Sequence, residues 1–319
     1  MVAMTPDPAS VDASHAVPTL LVALGLLLAA PVHAGERPYE IGGAQQELGH
    51  IRELAERLSK QNLFYQLHLG DTTKQDLHDT AGEIDRVLEL LRDGSVTYSI
   101  AAPPNDAIRA QITKVDEVWG PVRRIAVASP YDYLRRTNEF VPRQDRRGDP
   151  LFLHAFDQMT QELIDEVDRL SALYQEECLK TDYDLCGLAA THGIPMMLNE
   201  RLVKELVFVY AGPGGDKEIG RLRQTRDEID AYHKNAASQE ILSDATDPAR
   251  GDAAAFVSGL WGSIEEDWGR IRPEINLAIA GRAEEVNLKR VLEIEPRLVQ
   301  AWERLAVVMV RFINAKYAR

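Results

Sequence analysis

The chain has 319 residues, of which 45% are hydrophobic and 27% are charged, and its formal net charge is −14. This length allows two domains with cores of their own, and a 7% aromatic content with long runs free of Gly and Pro favours helices over sheets. An acidic surface of this size repels phosphate backbones, so nucleic acid is not an expected partner.

The N-terminal segment has the pattern of an export signal. Residues 16–34, AVPTLLVALGLLLAAPVHA, are largely apolar and end in an A-x-A-like cleavage site at Ala34. Pro18 and Pro31 shorten the apolar run to ~12 residues, below the ~20 that a spanning helix needs. We therefore expect residues 1–34 to be a signal peptide and the mature protein to be periplasmic. Because no Lys or Arg precedes the run, an uncleaved N-terminal membrane anchor is the alternative.

The apolar spacing of the first half predicts four amphipathic helices. The first covers Ile51–Leu69. The other three carry one apolar stripe each, formed by Leu77, Ala81, Ile84, Leu88 and Leu91, by Ile108, Ile112, Val115, Trp119, Val122 and Ala126, and by Phe156, Leu163, Val167, Leu170 and Tyr174. Asp93-Gly94 ends the second helix as a C-cap. Four such helices bury their stripes most simply as an up-down bundle.

Two segments interrupt the helical pattern near the middle of the chain. Arg135–Arg147 holds five arginines in an acidic protein and is expected to be a long loop, either solvated or in contact with a partner. Cys178 and Cys186 are the only two cysteines, and an oxidising compartment favours a structural disulfide between them. The boundary between two domains, residues 35–180 and 187–319, is expected at this pair.

The second half repeats the plan of the first. Three sequence matches occur in the same order in both halves: ERLSK at 56–60 with ERLVK at 200–204, EID at 83–85 with EID at 228–230, and VWGPVRRI from Val118 with DWGRIRPEI from Asp267. A spacing of about 145 residues indicates a duplicated domain, since solenoid repeats are far shorter. We therefore expect an all-α protein of two tandem up-down four-helix bundles. Near the C-terminus, Glu295-Pro296 predicts that a new helix starts at Pro296.

The repeated helices are GHIRELAERLSK at 49–60 and GIPMMLNERLVK at 193–204. They resemble the P-box helix of the NarX/PilJ-type sensor domain, whose pattern is approximately G-x-x-R-M-L-S-Q-R-x-x-K. This domain is the extracytoplasmic four-helix bundle of nitrate-responsive histidine kinases and pilus-linked chemoreceptors, also described as the type IV pili methyl-accepting chemotaxis transducer N-terminal domain. The residues that match the pattern are Gly49, Arg52, Leu54, Arg57 and Lys60 in the first copy, and Gly193, Met197, Leu198, Arg201 and Lys204 in the second.

The resemblance implies a sensor that binds a small anion, such as nitrate or nitrite, at this helix. In nitrate-sensing members the arginine of R-M-L faces its counterpart across a two-fold axis, and the two clamp one anion. Arg52 matches this arginine in the first copy and Met196 in the second. Because methionine donates no charge-assisted hydrogen bond, only half of the clamp is present. The candidate ligand-binding residues are Arg52, Arg57, Met196 and Arg201, with ordinary ion pairs as the alternative role of the arginines.

The predicted function is therefore that of an exported, non-enzymatic, sensor-like accessory protein that binds a small ligand. Its expected partners are a small anion and a membrane histidine kinase or chemoreceptor, with a homodimer as a further assembly. No catalytic constellation and no cofactor are expected. No metal site is expected either, because His50-x-x-Glu53 lacks the further ligands of a di-metal bundle. The alternative is a periplasmic helical scaffold without a ligand. A ligand site predicts Arg52 in an enclosed cavity, whereas a scaffold predicts Arg52 in solvent, paired with Glu56.

Overall fold

The computed structural model describes residues 38–128, 131–134, 139–142, 150–180, 193–211, 215–238, 240–247 and 251–317. The expected signal peptide, Cys186 and most of the arginine-rich segment lie outside these residues. In the part that is described, none of the helices combines the length and the apolar composition that crossing a bilayer requires.

In its described residues, the first half of the chain forms four helices and one pair of short antiparallel strands. The helices are α1 (Pro38–Leu67), α2 (Lys74–Asp93), α3 (Asp106–Val127) and α4 (Pro150–Cys178). Strand β1 (Tyr131–Leu134) pairs antiparallel with β2 (Glu139–Pro142). The prediction of a continuous loop over 135–147 is therefore wrong where β2 lies. The aromatic and β-branched residues of YDYL and EFVP favour this extended pairing.

Local signals in the sequence account for the ends of these helices. Thr73 caps α2 with a capping box, in which its hydroxyl accepts the N–H of Asp76 while the Asp76 carboxylate accepts the N–H of Thr73. The Asn105 side chain accepts the N–H of Ile108 and caps α3. Gly94, at φ 74°, donates its N–H to the carbonyl of Leu90, which confirms the predicted C-cap.

The second half is helical throughout its described residues. Its elements are α5 (Ile194–Tyr210), α6 (Asp216–Ser238), the short α7 (Glu240–Ala245), α8 (Asp252–Ile279), a 3-10 turn (Ala283–Glu285) and α9 (Leu288–Tyr317). Helix α9 runs through Pro296, so the prediction of a new helix at Pro296 is wrong. A proline inside a helix costs ~3 kcal/mol. Burial of Ile294 and Leu298 on either side of it offsets that cost.

The all-α class is confirmed, and the helix contacts follow the same order in both halves. Helix α1 packs against α2 and α4, and α3 packs against the same two. In the second half α5 packs against α6 and α9, and α8 packs against the same two. The predicted stripes of α2, α3 and α4 are all buried. Each half has its own apolar core, although Leu63, Phe64 and Leu153 of the first half join the core of the second.

Helices α1 and α5 join the two halves, so that residues 37–319 form one compact unit. Their backbones touch at Gly49 and Gly193, which are the equivalent glycines of the repeated helix. A Cβ on Gly193 would lie 2.4 Å from the carbonyl oxygen and 2.5 Å from the carbonyl carbon of Gly49. A Cβ on Gly49 would meet the nitrogen of Gly193 at 3.1 Å. No side chain fits at Gly193 unless the helices separate.

We expect Gly193→Ala to destabilise the protein by roughly 2–3 kcal/mol, because overpacking a backbone contact forces the helices apart. Gly49→Ala is expected to cost less, since its nearest contacts are longer. The matched control is Gly82→Ala in α2, where nothing lies within 4 Å of the added Cβ. There alanine should stabilise the helix by about 0.5–1 kcal/mol. Urea unfolding of the three variants measures these differences, and equal effects at Gly193 and Gly82 would contradict the contact.

Candidate functional site

Charged side chains link α1 and α5 by two equivalent ion pairs. Arg57 Nε donates to Glu200 Oε1 at 3.1 Å, and Arg201 Nε donates to Glu56 Oε1 at 2.7 Å. Arg57 and Arg201 hold the same position in the repeated helix, as do Glu56 and Glu200. Each helix therefore gives an arginine and receives one, which is the pattern of a two-fold interface built within one chain.

Two lysines extend these pairs to the last helix of each half. Lys204 Nζ lies 2.5 Å from Glu56 Oε2 and 2.5 Å from Asp157 Oδ1 of α4. Its equivalent, Lys60, contacts Glu200 and lies 2.9 Å from Glu295 Oε1 of α9. Each lysine thus bridges two carboxylates of the opposite half, one on the facing helix and one on the last helix of that half.

Lys204, Glu56 and Asp157 form a buried charged cluster, and burial makes each charge depend on an oppositely charged partner. The side chain of Lys204 is only 1% exposed. Burial alone lowers the pKa of Lys204, but the carboxylates of Glu56 and Asp157 outweigh it and raise the pKa above its usual value. Burial likewise raises the pKa of Asp157, yet Lys204 and Arg221 bring it below the ordinary range. Lys204 and Asp157 are therefore both charged at neutral pH.

A second repeated contact lies on the outer helices. Trp119 Nε1 donates to Asp85 Oδ1 at 2.7 Å, and Trp268 Nε1 donates to Asp230 Oδ1 at 3.0 Å. These residues come from the EID and Trp-Gly matches of the sequence. The two aspartates also accept from Arg123 and from Arg272, respectively. The matched sequences thus make the same contacts in both halves.

A cleft of about 570 Å³ opens beside Arg201, between α4, α5 and α6, and we name it the α5 cleft. Three cations line it: Arg201, Lys217 and Arg221. The other lining residues are acidic or neutral polar side chains, namely Asp157, Glu205, Glu218, His154, Gln158, Gln161, Gln224 and Thr225. Its size falls in the range of small-molecule sites, and its wall offers mainly hydrogen-bond donors and acceptors.

The equivalent cleft beside Arg57, which we name the α1 cleft, has a volume of about 670 Å³ and a different charge. Its charged lining residues are two cations and five carboxylates: Arg57, Lys60, Asp71, Asp76, Glu200, Glu295 and Glu303. An alignment of the halves on their EID motifs places Arg221 opposite Asp76 and Lys217 opposite Thr72. The two clefts thus differ in charge, and of the two the α5 cleft has as many cations as carboxylates.

The two repeated arginines also differ in how fully they are paired. Arg57 forms ion pairs with Glu53, Glu200 and Glu303. Met197 occupies the position of Glu53 in α5, and its Sδ lies 3.7 Å from Arg201 Nη2. Arg201 pairs through Nε with Glu56 and has Glu228 3.8 Å from its Nη1. Sulfur is a weak acceptor, so Nη2 of Arg201 lacks the carboxylate that Glu53 gives to Nη2 of Arg57.

Glu205 differs from the other acids of the α5 cleft. It is 4% exposed, and its Oε2 is buried with no hydrogen-bond partner among the described residues. Its Oε1 lies 3.5 Å from Arg221 Nε, which is too long for a strong hydrogen bond. Burial raises the pKa of Glu205 to about 7, although the charge of Lys204 and a hydrogen bond with Thr225 oppose the shift. Glu205 therefore exchanges a proton near neutral pH.

The structure places the four predicted ligand residues in different surroundings. Arg201 lines the α5 cleft and Arg57 lines the α1 cleft. Arg52 lines neither cleft: it is buried, and its Nε lies 2.5 Å from Asp168 Oδ1 of α4. Arg52 is thus neither in solvent nor paired with Glu56. Met196 is buried in the core of the second half.

The remaining sequence predictions concern the disulfide and metal binding. Cys178 is buried at the end of α4 and takes part in a disulfide, while Cys186 lies outside the described residues. Within the described ranges, no group of three or more His, Cys, Asp or Glu side chains is arranged to hold a metal ion.

The sequence analysis missed Glu205, Lys217 and Arg221. A full alignment of the two halves would have indicated the last two, because they replace Thr72 and Asp76 of the first copy with cations. Burial of Glu205 beside a charged cluster has no such signal. Comparison with known proteins gave no match: no protein family, no curated protein and no solved structure matches this chain.

We expect Lys204→Met to destabilise the protein by roughly 3–5 kcal/mol, because it removes the buried cation that Glu56 and Asp157 share and leaves each carboxylate with a single arginine. Lys60→Met is the matched variant in the other half. It should cost less, since its side chain is 11% exposed and water can reach the freed carboxylates. Adding Glu56→Gln to Lys204→Met should restore part of the loss. Denaturant unfolding measures all three, and a Lys204→Met cost below ~1 kcal/mol would contradict a buried cluster that requires its charge.

Glu205→Gln should change how stability depends on pH. Because the folded-state pKa of Glu205 is raised to about 7, the native protein keeps a proton that the unfolded chain releases above its ordinary pKa of 4.5. The stability from protonated Glu205 is therefore full below that ordinary pKa and is lost as the pH rises through 7. Relative to the parent, Glu205→Gln should gain about 1–3 kcal/mol between pH 5 and pH 8. Urea unfolding at each pH tests this, with the exposed Glu89→Gln as a control that should show a flat difference.

Proposed function

We propose that this protein is an exported, non-enzymatic, sensor-like accessory protein that binds a small anionic ligand in the α5 cleft. We also propose that it consists of two tandem four-helix bundles of the NarX/PilJ type, with α1 and α5 as the two P-box-like helices. The observation that carries the ligand proposal is the set of three cations, Arg201, Lys217 and Arg221, in one open cleft next to the repeated helix.

The pairing of these cations supports an anionic ligand. Lys217 is exposed and forms no ion pair within the described part of the chain. Arg201 has Met197 where Arg57 has a carboxylate, and Arg221 is 31% exposed with one hydrogen bond to Asp157. Charge-assisted hydrogen bonds from guanidinium and ammonium groups are the strongest that a protein offers to carboxylate or oxyanion ligands.

The position of the cleft suggests how the bound state would reach a partner. Arg201 binds Glu56 of α1, and Arg221 binds Asp157 of α4, which also holds Lys204. An anion that draws Arg201 or Arg221 toward itself weakens a contact that holds α1, α4 and α5 together. A partner that recognises the packing of these helices, such as a membrane histidine kinase or chemoreceptor, would detect the change. The proposal includes a periplasmic location, where the surface formed by α1, α4 and α5 is accessible to such a partner.

A scaffold without a ligand is the second candidate, and exposed apolar side chains favour it. Val96 and Tyr98, on the turn between α2 and α3, are 87% and 53% exposed. Neighbouring apolar residues in solvent are typical of a protein contact. Under this alternative the buried ion pairs would only fix the packing of the helices, and the α5 cleft would hold water.

We expect a small anion to raise the melting temperature of the full-length chain by several degrees, because a ligand at 100 times its Kd stabilises the native state by about 2.7 kcal/mol. A thermal-unfolding panel would begin with nitrate and nitrite and continue through phosphate, sulfate and small carboxylates. Lys217→Ala and Arg221→Gln should abolish the shift. Gln300→Ala, in the lining of the α1 cleft, should leave it unchanged.

Arg52→Ala separates the cleft from the family clamp. If Arg52→Ala removes the shift while Lys217→Ala keeps it, the anion binds at Arg52 and the α5 cleft is not the site. If no compound in the panel shifts the melting temperature, the ligand proposal fails and the scaffold becomes the better explanation.

A further inference from the structure

We infer that the ligand of the α5 cleft is an amino-acid-like zwitterion, whose carboxylate binds the cleft cations and whose ammonium group binds Glu205. This inference rests on the proposed function and names the ligand class of the same site. The observation behind it is the side chain of Glu205, which lines the cleft, is 4% exposed and has an unpartnered Oε2.

Glu205 is the acid of the cleft that keeps one buried oxygen, Oε2, without a hydrogen bond, although the side chain also contacts Thr225 and Arg221. Both oxygens of Asp157 are occupied: Oδ1 accepts from Ser59 and Lys204, and Oδ2 accepts from Arg221 at 2.9 Å. Glu218 Oε2 accepts the N–H of Gly215 at 2.9 Å. Among the described lining residues, Glu205 Oε2 is the carboxylate oxygen that is both buried and without a hydrogen bond.

A buried acceptor without a donor is costly, and a ligand can supply the donor. Leaving such a group unsatisfied costs about 1–3 kcal/mol, more when it is charged. An ammonium group provides three N–H donors and a positive charge. Since Arg221 Nε lies 3.5 Å from Glu205 Oε1, a ligand carboxylate that draws Arg221 toward itself frees Oε1 for the ammonium of the same ligand, beside the unpartnered Oε2. The two ends of a zwitterion thus exchange partners with an existing Arg–Glu contact.

The dimensions and the neutral lining of the cleft fit this class. At about 570 Å³ the cleft is far larger than a single nitrate ion requires, and it lies within the range of metabolite sites. Its amide side chains, Gln158, Gln161 and Gln224, both donate and accept hydrogen bonds. Such a wall suits a ligand with mixed donors and acceptors better than a simple inorganic anion.

The experiment compares ligands that differ only in the ammonium group. Binding of L-aspartate and succinate to the full-length chain would be measured by isothermal titration calorimetry, together with the longer pair L-glutamate and glutarate. In one of the two pairs, we expect the amino acid to bind at least ten-fold more tightly than its diacid. Glu205→Gln should remove this difference and leave diacid binding within about two-fold. Lys217→Ala should weaken both members of the pair alike.

The outcomes separate this inference from the function on which it rests. If the diacids bind as tightly as the amino acids, or if Glu205→Gln keeps the difference, the role of Glu205 is refuted while the anion cleft stands. The same holds if only phosphate, sulfate or nitrate binds. If none of these compounds binds, the anion cleft and the zwitterion ligand are both refuted. A circular-dichroism melt would check that Glu205→Gln is folded. A loss of amino-acid binding could then be assigned to the missing carboxylate.

Discussion

The contact between α1 and α5 is the constraint on which the rest of the structure depends. At Gly49 and Gly193 the two backbones touch, and from that point the helices run side by side in the same direction. The close approach brings Glu56 and Lys204 into a space with no access to water. Each charged side chain in such a place needs a partner of opposite charge, since an unpaired buried charge costs several kcal/mol. The glycines therefore determine the distance between α1 and α5, and that distance determines which side chains fit between the two helices.

Pairing at the crossing also explains why two helical halves form one compact unit. Each half has a core that its own four long helices nearly enclose. The ion pairs that satisfy Arg57 and Arg201 come from the opposite half, however. Separating the halves would leave both arginines and both lysines without their principal carboxylates. A duplicated domain that once paired with a second copy would meet the same requirement, which explains why the contacts repeat in equivalent positions.

The helices could be predicted from the sequence, whereas most of the site could not. Every apolar residue predicted for the stripes of α2, α3 and α4 is buried, because a 4-3 spacing leaves a helix only one face to bury. Arg57 and Arg201 were found because they repeat. Arg52 was expected in a cavity or in solvent, but its partner Asp168 lies on a different helix, 116 residues away. Glu205 has an ordinary helical context in the sequence, and only the packing of α4 and α6 around it shows that it is buried.

The difference in charge between the α1 cleft and the α5 cleft also follows from the contact between α1 and α5. The residues that hold α1 and α5 together are the buried Glu56, Glu200 and Lys204 and the 11% exposed Lys60. They have the same identity at equivalent positions because neither half can change them alone. The other residues that line the clefts bear no such restriction. Thr72 and Asp76 in one copy are Lys217 and Arg221 in the other. Burial raises the pKa of Glu205 to about 7, so this acid of the α5 cleft is only partly ionised at neutral pH. In the first half, burial raises the pKa of Glu53 to about 7 as well, but Glu53 does not line the α1 cleft and it pairs with Arg57. One oxygen of Glu205 has no hydrogen-bond partner among the described residues, so a ligand bound in the α5 cleft can supply to Glu205 what Arg57 supplies to Glu53.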